Sequence, residues 1–144
     1  MATDDTLRAL EHEMGVLIRR IRRVIAERAR MIHPELSAVS YLMLGTLNSS
    51  GPARASTLVD TFAIDKGAVS RHVSFLLELE LIERNPDPED RRAAILAISK
   101  EGSRRLAEVS LRRREKVEEM LHDWTDAELE GFVRTLARYN AALE

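Results

Sequence analysis

Hydrophobic residues recur at alternating spacings of three and four near the N-terminus of the chain. This stripe contains Leu7, Leu10, Met14, Leu17, Ile21 and Val24, and arginines fill many of the positions between them. Because residues three and four apart share one face of a helix, the pattern predicts a long amphipathic helix from Asp4 to about Ile32. Pro34 should end it, since proline cannot continue the helical hydrogen-bond ladder.

The chain after Ser99 is also predicted to be helical. Ser99 can cap one helix, and Thr125, followed three residues later by Glu128, has the signature of a second cap. Beyond it the same spacing returns at Leu129, Phe132, Leu136, Tyr139 and Leu143. The apolar seams at the two ends are longer than one small core requires. They either pack on each other within one subunit or intertwine with a second copy, and the heptad spacing favours the second arrangement.

The middle of the chain has shorter periodic runs separated by turn-forming residues. Residues 50–52 break one helix, and residues 63–65 make a tight turn in which Asp65 can cap the next helix. The expected helices run from Ser37 to about 48, over 55–62 and from 66 to about 79, and the expected strands over 81–85 and 92–98. Candidate core residues of the first of these helices are Leu42, Leu44 and Leu47. The proline-rich segment 86–90 is expected to be a loop between the two strands. These elements make a winged helix-turn-helix, so the predicted fold class is mainly α with a small β-hairpin.

Composition narrows the classes of function. The 144 residues include no cysteine, which excludes disulfides and thiolate metal sites and fits a reducing, cytoplasmic compartment. No apolar run approaches the ~20 residues that span a bilayer, and the acidic N-terminus does not resemble a signal peptide, so no membrane contact is expected. There is no Gly-rich phosphate loop or nucleophile motif, and the four histidines are scattered. We therefore expect neither an enzyme nor a bound cofactor or metal.

The helix that begins near Lys66 carries the candidate chemistry. Four of its apolar residues should pack inward: Val69, Val73, Leu76 and Leu77. The adjacent side is small and basic, which permits close approach to a DNA groove; its residues are Lys66, Gly67, Ser70, Arg71 and Ser74. Arg71 and Lys66 can bond to guanine edges or to phosphates. His72 lies beside this side, and we interpret it as a partly buried surface histidine rather than a phosphate ligand.

Four short motifs follow in order along this region: VSRHV in the helix, LIER in the first strand, DPEDRR at the hairpin tip and ISKEG before the next helix. With the helical ends, they make the chain similar to the MarR family (multiple antibiotic resistance regulators). The resemblance implies a single domain over 1–144, with dimerisation helices at 1–34 and 103–144 around a winged-helix DNA-binding module at 35–102. It also implies a homodimeric repressor whose recognition helices enter successive major grooves of a pseudo-palindromic operator in double-stranded DNA.

In the hairpin tip of this family, or wing, an Asp-x-Arg pair contacts the minor groove, and the resemblance places that pair at Asp90 and Arg92. Residues two apart in an extended segment project to the same side. The Asp90 carboxylate is therefore expected to hold the Arg92 guanidinium in a bidentate pose. Such a pre-aimed cation suits the negative potential of a narrow minor groove. Arg91 is expected to point the other way, towards phosphate or solvent.

Two further sets of contacts are expected. Contacts to the DNA backbone are expected from Arg54, Ser56 and Thr57, near the start of the first helix of the pair. Members of the family commonly lose DNA affinity when a small aromatic or anionic effector binds between the dimerisation helices and the winged module. The resemblance thus implies release by such a ligand, and the residues placed to meet it are Arg30, His33 and Tyr41.

Two features of the sequence oppose DNA binding or the family geometry. Glu80 stands where the family usually has glycine, in a left-handed turn that strains other residues. From Arg54 to Arg92 there are six Lys or Arg against eight Asp or Glu, and the whole chain has a formal net charge of -2. An alternative function therefore stays open: a helical interaction or scaffold protein that kept the fold and no longer binds DNA.

Overall fold

The computed structural model describes Met1 and residues 3–143. The elements are α1 (Asp4–Ile32), α2 (Ala38–Ser50), α3 (Ala55–Phe62), α4 (Lys66–Glu78), β1 (Ile82–Pro86), β2 (Ala94–Ile98), α5 (Lys100–Met120) and α6 (Asp126–Ala141). The predicted class, mainly α with one small hairpin, is confirmed. The chain divides into two compact units, Met1–Val109 and Ser110–Glu144, and the boundary falls inside α5.

The helices begin at the residues that the sequence predicts as caps. The side chain of Ser37 accepts a hydrogen bond from the Ser40 N–H, and that of Asp65 accepts from the Ala68 N–H at 2.8 Å. The Oγ of Ser99 accepts from the Gly102 N–H at 3.0 Å, and Thr125 and Glu128 form the predicted reciprocal capping box. Each cap satisfies a backbone donor that has no partner inside its helix.

The core of the first unit lies between α2, α4 and the hairpin. Its fully buried large side chains are Met43, Leu44, Leu47, Leu58, Val69, Leu76 and Leu81. Leu44 and Leu47 are core residues as predicted, but the prediction for Leu42 is wrong, because that side chain is 40% exposed. The buried face of α2 follows positions 40, 43, 44 and 47, which share one side of a helix, and position 42 lies off that side.

The hairpin is attached to the helices by a third extended segment. Strands β1 and β2 pair antiparallel from Ile82↔Ile98 to Pro86↔Ala94. Ala53, which precedes α3, exchanges two backbone hydrogen bonds with Leu96, at 2.9 and 2.8 Å. Pro86 was expected in the loop but is the last residue of β1, where a missing N–H is tolerated. Arg92 was expected in the second strand but lies in the turn before β2.

The turn from α4 into β1 has the left-handed conformation expected at Glu80, whose φ is 56°. The Glu80 carbonyl accepts a 2.7 Å hydrogen bond from the Ser99 hydroxyl, and the Ser99 N–H donates to the Leu81 carbonyl at 3.0 Å. These two bonds join the end of α4 to the start of α5. They stabilise the turn although Glu80, its left-handed residue, is not glycine.

Replacing Glu80 with glycine should stabilise the protein by about 0.5–1 kcal/mol. The left-handed conformation costs a residue with a Cβ roughly 1–2 kcal/mol, and the added chain entropy of glycine offsets part of the gain. Urea unfolding at constant m-value measures the difference. A Glu80→Ala variant keeps the Cβ and should gain nothing; equal stability of the two variants would show that backbone strain is not the cause.

Candidate nucleic-acid interface

Helix α4 separates buried apolar residues from an exposed polar side. Val69, Val73 and Leu76 are buried and Leu77 is half-buried. The five residues predicted to face DNA are all exposed: Lys66, Gly67, Ser70, Arg71 and Ser74. A Cβ on Gly67 would stand 3.6 Å from Nη1 of Arg71. The Arg71 side chain therefore lies along the helix towards its N-terminal end, where free backbone N–H groups favour anions.

His72 joins α4 to the start of α2. Its Nδ1 lies 2.9 Å from the Oγ of Ser40, which is buried, and 3.4 Å from the Oγ of Ser37. The side chain is half-buried, so its interpretation as a partly buried surface histidine is confirmed. Burial, and secondarily the charge of Arg71, lowers the pKa of His72 from its ordinary value of 6.5. The histidine thus anchors the helix rather than extending its basic side.

Protonation of His72 should destabilise the fold. Because the pKa of His72 is lowered in the folded state, the unfolded chain binds the proton more tightly. The stability that depends on the neutral ring is present above pH 6.5 and is lost as the pH falls below that value. Urea unfolding between pH 7.5 and about 5.5 should therefore show a decline that is shallower in a His72→Gln variant. Equal slopes for the two proteins would contradict this assignment.

The hairpin tip differs from its prediction. Asp90 Oδ1 accepts a hydrogen bond from the backbone N–H of Arg92 at 2.9 Å, and the Ala93 N–H donates to the Asp90 carbonyl at 3.0 Å. The expected bidentate contact between the Asp90 carboxylate and the Arg92 guanidinium is therefore wrong. The segment is a turn and not an extended strand, because a short Asp side chain bonds readily to the backbone two residues on.

The two arginines at the tip present their charges to solvent. Arg91 and Arg92 are both exposed, and within residues 3–143 neither makes an ion pair. Asp90 is exposed as well and is committed to the turn. The tip thus carries two unneutralised guanidinium groups on a backbone that the Asp90 side chain fixes.

Arg54 forms an ion pair that the sequence does not predict. Its guanidinium forms an ion pair with Asp87, which directly follows β1 at the tip-side end of the hairpin, while Ser56 and Thr57 in the first turn of α3 are exposed. Asp87 Oδ1 also accepts a 2.9 Å hydrogen bond from the Glu89 N–H. That bond first, and Arg54 second, lower the pKa of Asp87 against the opposing effect of burial. An Asp followed by Pro signals a local turn, but nothing in the sequence pairs it with position 54.

The residues proposed to meet an effector do not line a cavity of about 720 Å³ that lies between the end of α2, α3 and the tip-side loop of the hairpin. His33 packs edge-on against Phe75 with ring centroids 5.9 Å apart, Tyr41 is half-buried against the core, and Arg30 is exposed. Arg54 and Asp87 form part of the wall of the cavity.

The described residues contain neither a cluster of metal ligands nor a helix fit to span a membrane. No group of three or more His, Asp or Glu side chains there could hold a metal ion. None of the described helices combines the length and the apolar character needed to cross a membrane.

The seams predicted at the two ends of the chain remain uncovered. On α1, Leu10, Leu17 and Ile21 are exposed. In the second unit the exposed large apolar side chains include Leu111, Val117, Met120, Trp124, Phe132 and Val133. Trp124 and Phe132 pack edge to face, with ring centroids 5.8 Å apart.

The chain is similar to a known protein family and to bacterial transcriptional regulators. The profile of the MarR family matches residues 36–94. The uncharacterized HTH-type transcriptional regulator YxaD of Bacillus subtilis is 34% identical over 142 residues, which cover 99% of this chain and 98% of YxaD. The HTH-type transcriptional repressor NicR of Pseudomonas putida is 27% identical over 102 residues, 69% of this chain and 65% of NicR.

A solved structure shares the whole fold. The crystal structure of RV1404 from Mycobacterium tuberculosis superposes with a TM-score of 0.82 at 23% identity, covering 99% of this chain and 97% of that one.

MarR-family proteins are transcriptional regulators, not enzymes, and they bind DNA and act as dimers. The match to YxaD over nearly the full length of both proteins, together with the family profile, shows that this chain belongs to the MarR family of transcriptional regulators.

Proposed function

We propose that this regulator is a repressor that binds a pseudo-palindromic operator as a homodimer in the cytoplasm. The observation that carries the proposal is the exposed side of α4, which presents Lys66 and Arg71 to solvent beside the buried Val69, Val73 and Leu76. That NicR is a transcriptional repressor supports the direction of regulation.

Each exposed group has a role in this proposal. Lys66 and Arg71 bond to guanine edges or phosphates in the major groove, while Gly67, Ser70 and Ser74 are small enough for the helix to approach the groove floor. Arg91 and Arg92 reach the minor groove or its flanking phosphates from the hairpin tip, which Asp90 shapes. DNA-backbone contacts are proposed for Ser56 and Thr57, while Arg54, which the sequence groups with them, forms an ion pair with Asp87.

A second copy of the chain is the proposed cover for the exposed seams. The apolar stripe of α1 and the apolar residues of the second unit are spaced as interhelical seams are. Their burial against a partner related by two-fold symmetry gives each surface a like surface to pack on. Two copies of α4 would then bind half-sites whose centres lie about 10 base pairs apart. In domain terms, residues 1–34 and 103–144 serve dimerisation and residues 35–102 serve DNA binding.

Release by a small aromatic or anionic ligand completes the proposal. Arg30 is exposed and can attract an anion, and His33 and Tyr41 offer a ring edge and a hydroxyl nearby in sequence. A cation beside aromatic side chains is the chemistry that an aromatic carboxylate needs.

Selection of bound fragments from random DNA duplexes tests the proposal. The enriched sequences should form a pseudo-palindrome with half-site centres about 10 base pairs apart, and salicylate should weaken the selected complex if the ligand part is right. Enrichment of a single unrepeated half-site would contradict the dimeric arrangement. No enrichment at all would favour the scaffold function, which the net acidic composition of residues 54–92 supports.

A further inference from the structure

The start of α3 and the wing are joined by two kinds of contact, one at the middle of β2 and one at the tip-side end of β1. Ala53 and Leu96 exchange a pair of backbone hydrogen bonds, and the next residue, Arg54, forms an ion pair with Asp87. We call these two contacts together the α3–wing clamp. They connect residues that are more than thirty positions apart in the chain and that belong to the two halves of the proposed DNA-binding surface.

Asp87 is a buried acid, so the stability of its position depends on the ion pair with Arg54. Among the described residues it is the only charged residue that is buried, at 4% exposure. Its Oδ1 accepts the Glu89 N–H, while the buried Oδ2 faces the Arg54 guanidinium as an ion pair without an aligned hydrogen bond to any described residue. A buried carboxylate that loses its cation is strongly destabilised. The chain at Asp87 therefore stays where Arg54 holds it.

We propose that Arg54 and Asp87 are positioning residues, which fix the hairpin against α3 and so aim Arg91 and Arg92 at DNA. A hairpin of two five-residue strands has little stability of its own, so the direction of its tip depends on the contacts that hold the tip-side end of the strands. Asp87 lies directly after β1, at the point where the strand gives way to the tip. This inference rests on the proposed function, since it concerns how the tip reaches the operator.

The clamp and a simple phosphate contact predict opposite effects for Asp87. The Arg54 side chain is 42% exposed, so its charge can also reach a phosphate. If Asp87 were only an acid near the DNA, its neutralisation would strengthen operator binding by removing repulsion from phosphates. In the clamp, the same change frees the tip-side end of β1 from Arg54, and operator binding weakens.

Operator affinity over a series of salt concentrations separates the two roles. The proteins compared are the wild type, Arg54→Gln, Asp87→Asn, the double variant, and Arg91→Gln as a control for a phosphate contact. Each clamp variant should weaken binding on the order of tenfold, as is usual for a residue that supports a binding group from behind. The double variant should be no weaker than the single ones, because all three remove the same contact.

The salt dependence completes the test. The slope of log affinity against log salt should stay at the wild-type value in both clamp variants, whereas Arg91→Gln should reduce it by about 0.9. Asp87→Asn binding that equals or exceeds that of the wild type, or a slope reduced by about 0.9 in Arg54→Gln, would overturn the inference and leave Arg54 as a phosphate ligand. Asp87→Asn is nearly isosteric, so it keeps the test decisive if Arg54→Gln does not fold.

A readout without DNA separates failure of the clamp from failure of the proposed function. Amide hydrogen exchange at Ala53 and Leu96 should be faster in both clamp variants, while exchange at Val69 and Leu76 in α4 stays at the wild-type rate. Unchanged exchange at Ala53 and Leu96 would refute the clamp. Faster exchange in a protein whose wild type selects no operator would support the clamp and refute the DNA-binding function.

Discussion

Replacing Gly102 with alanine should destabilise the protein by about 3 kcal/mol, at the upper end of the usual cost of overfilling a packed site. A Cβ at this position would stand 2.1 Å from the backbone oxygen of Leu81 and 2.9 Å from Cγ1 of Ile98. The oxygen belongs to the turn that Ser99 holds through its own hydrogen bonds. Neither the turn nor the start of α5 can move away without breaking those bonds.

A matched variant in the same unit isolates the steric cause. Gly45 is also helical, in α2, and nothing lies within 4 Å of the position of its missing Cβ. Gly45→Ala should therefore stabilise the protein by about 0.5–1 kcal/mol, the ordinary gain of alanine over glycine in a helix. Urea unfolding of both variants measures the contrast. A Gly102→Ala protein as stable as the wild type would mean that α5 does not approach Leu81 as closely as the structure places it.

Local features of the fold could be predicted from the sequence, because they depend on neighbouring residues. Ser37, Asp65 and Thr125 cap their helices through contacts three residues long. The need for glycine at position 102 could not be predicted in the same way. Glycine is needed there because the hairpin brings the start of α5 back against the Leu81 carbonyl. A contact between positions 81 and 102 leaves no periodic pattern in the sequence.

The candidate site shows the same division. The exposed side of α4 follows from helical spacing, as predicted for Ser70 and Arg71. The contact expected between Asp90 and the Arg92 guanidinium does not form, because the Asp90 carboxylate can also accept a hydrogen bond from the Arg92 backbone N–H. In the structure it accepts that backbone bond. The pairing of Arg54 with Asp87 was missed because it depends on how the hairpin docks on α3.

The charge count along the sequence does not record where the charges lie. In the structure Asp87 is buried and paired with Arg54, so the fields of the two groups largely cancel. Removing this pair leaves five Lys or Arg and seven Asp or Glu among residues 54–92, so the net charge of the segment is unchanged. What favours phosphate attraction is therefore the placement of the exposed cations, Lys66, Arg71 and the two arginines at the hairpin tip, and not the overall balance.

An Arg71→Ala variant should bind the operator more weakly by about 1–3 kcal/mol and discriminate less at one base pair in each half-site. The reason is that a guanidinium can bond to both acceptors of a guanine edge, which alanine cannot replace. Competition binding with operators substituted at each position measures both effects. Loss of affinity that is uniform across sequences would show that Arg71 contacts phosphate instead.

Arg71→Lys is the decisive companion, because lysine keeps the charge and loses the planar pair of donors. If Arg71 reads a guanine, lysine should restore the salt dependence of the wild type but only part of its base preference. If Arg71 contacts phosphate, lysine should restore both affinity and preference. Arg71 is exposed in the structure, so its guanidinium can reach either group, and the base preference of the lysine variant decides between the two roles because only a guanine contact depends on the paired donors.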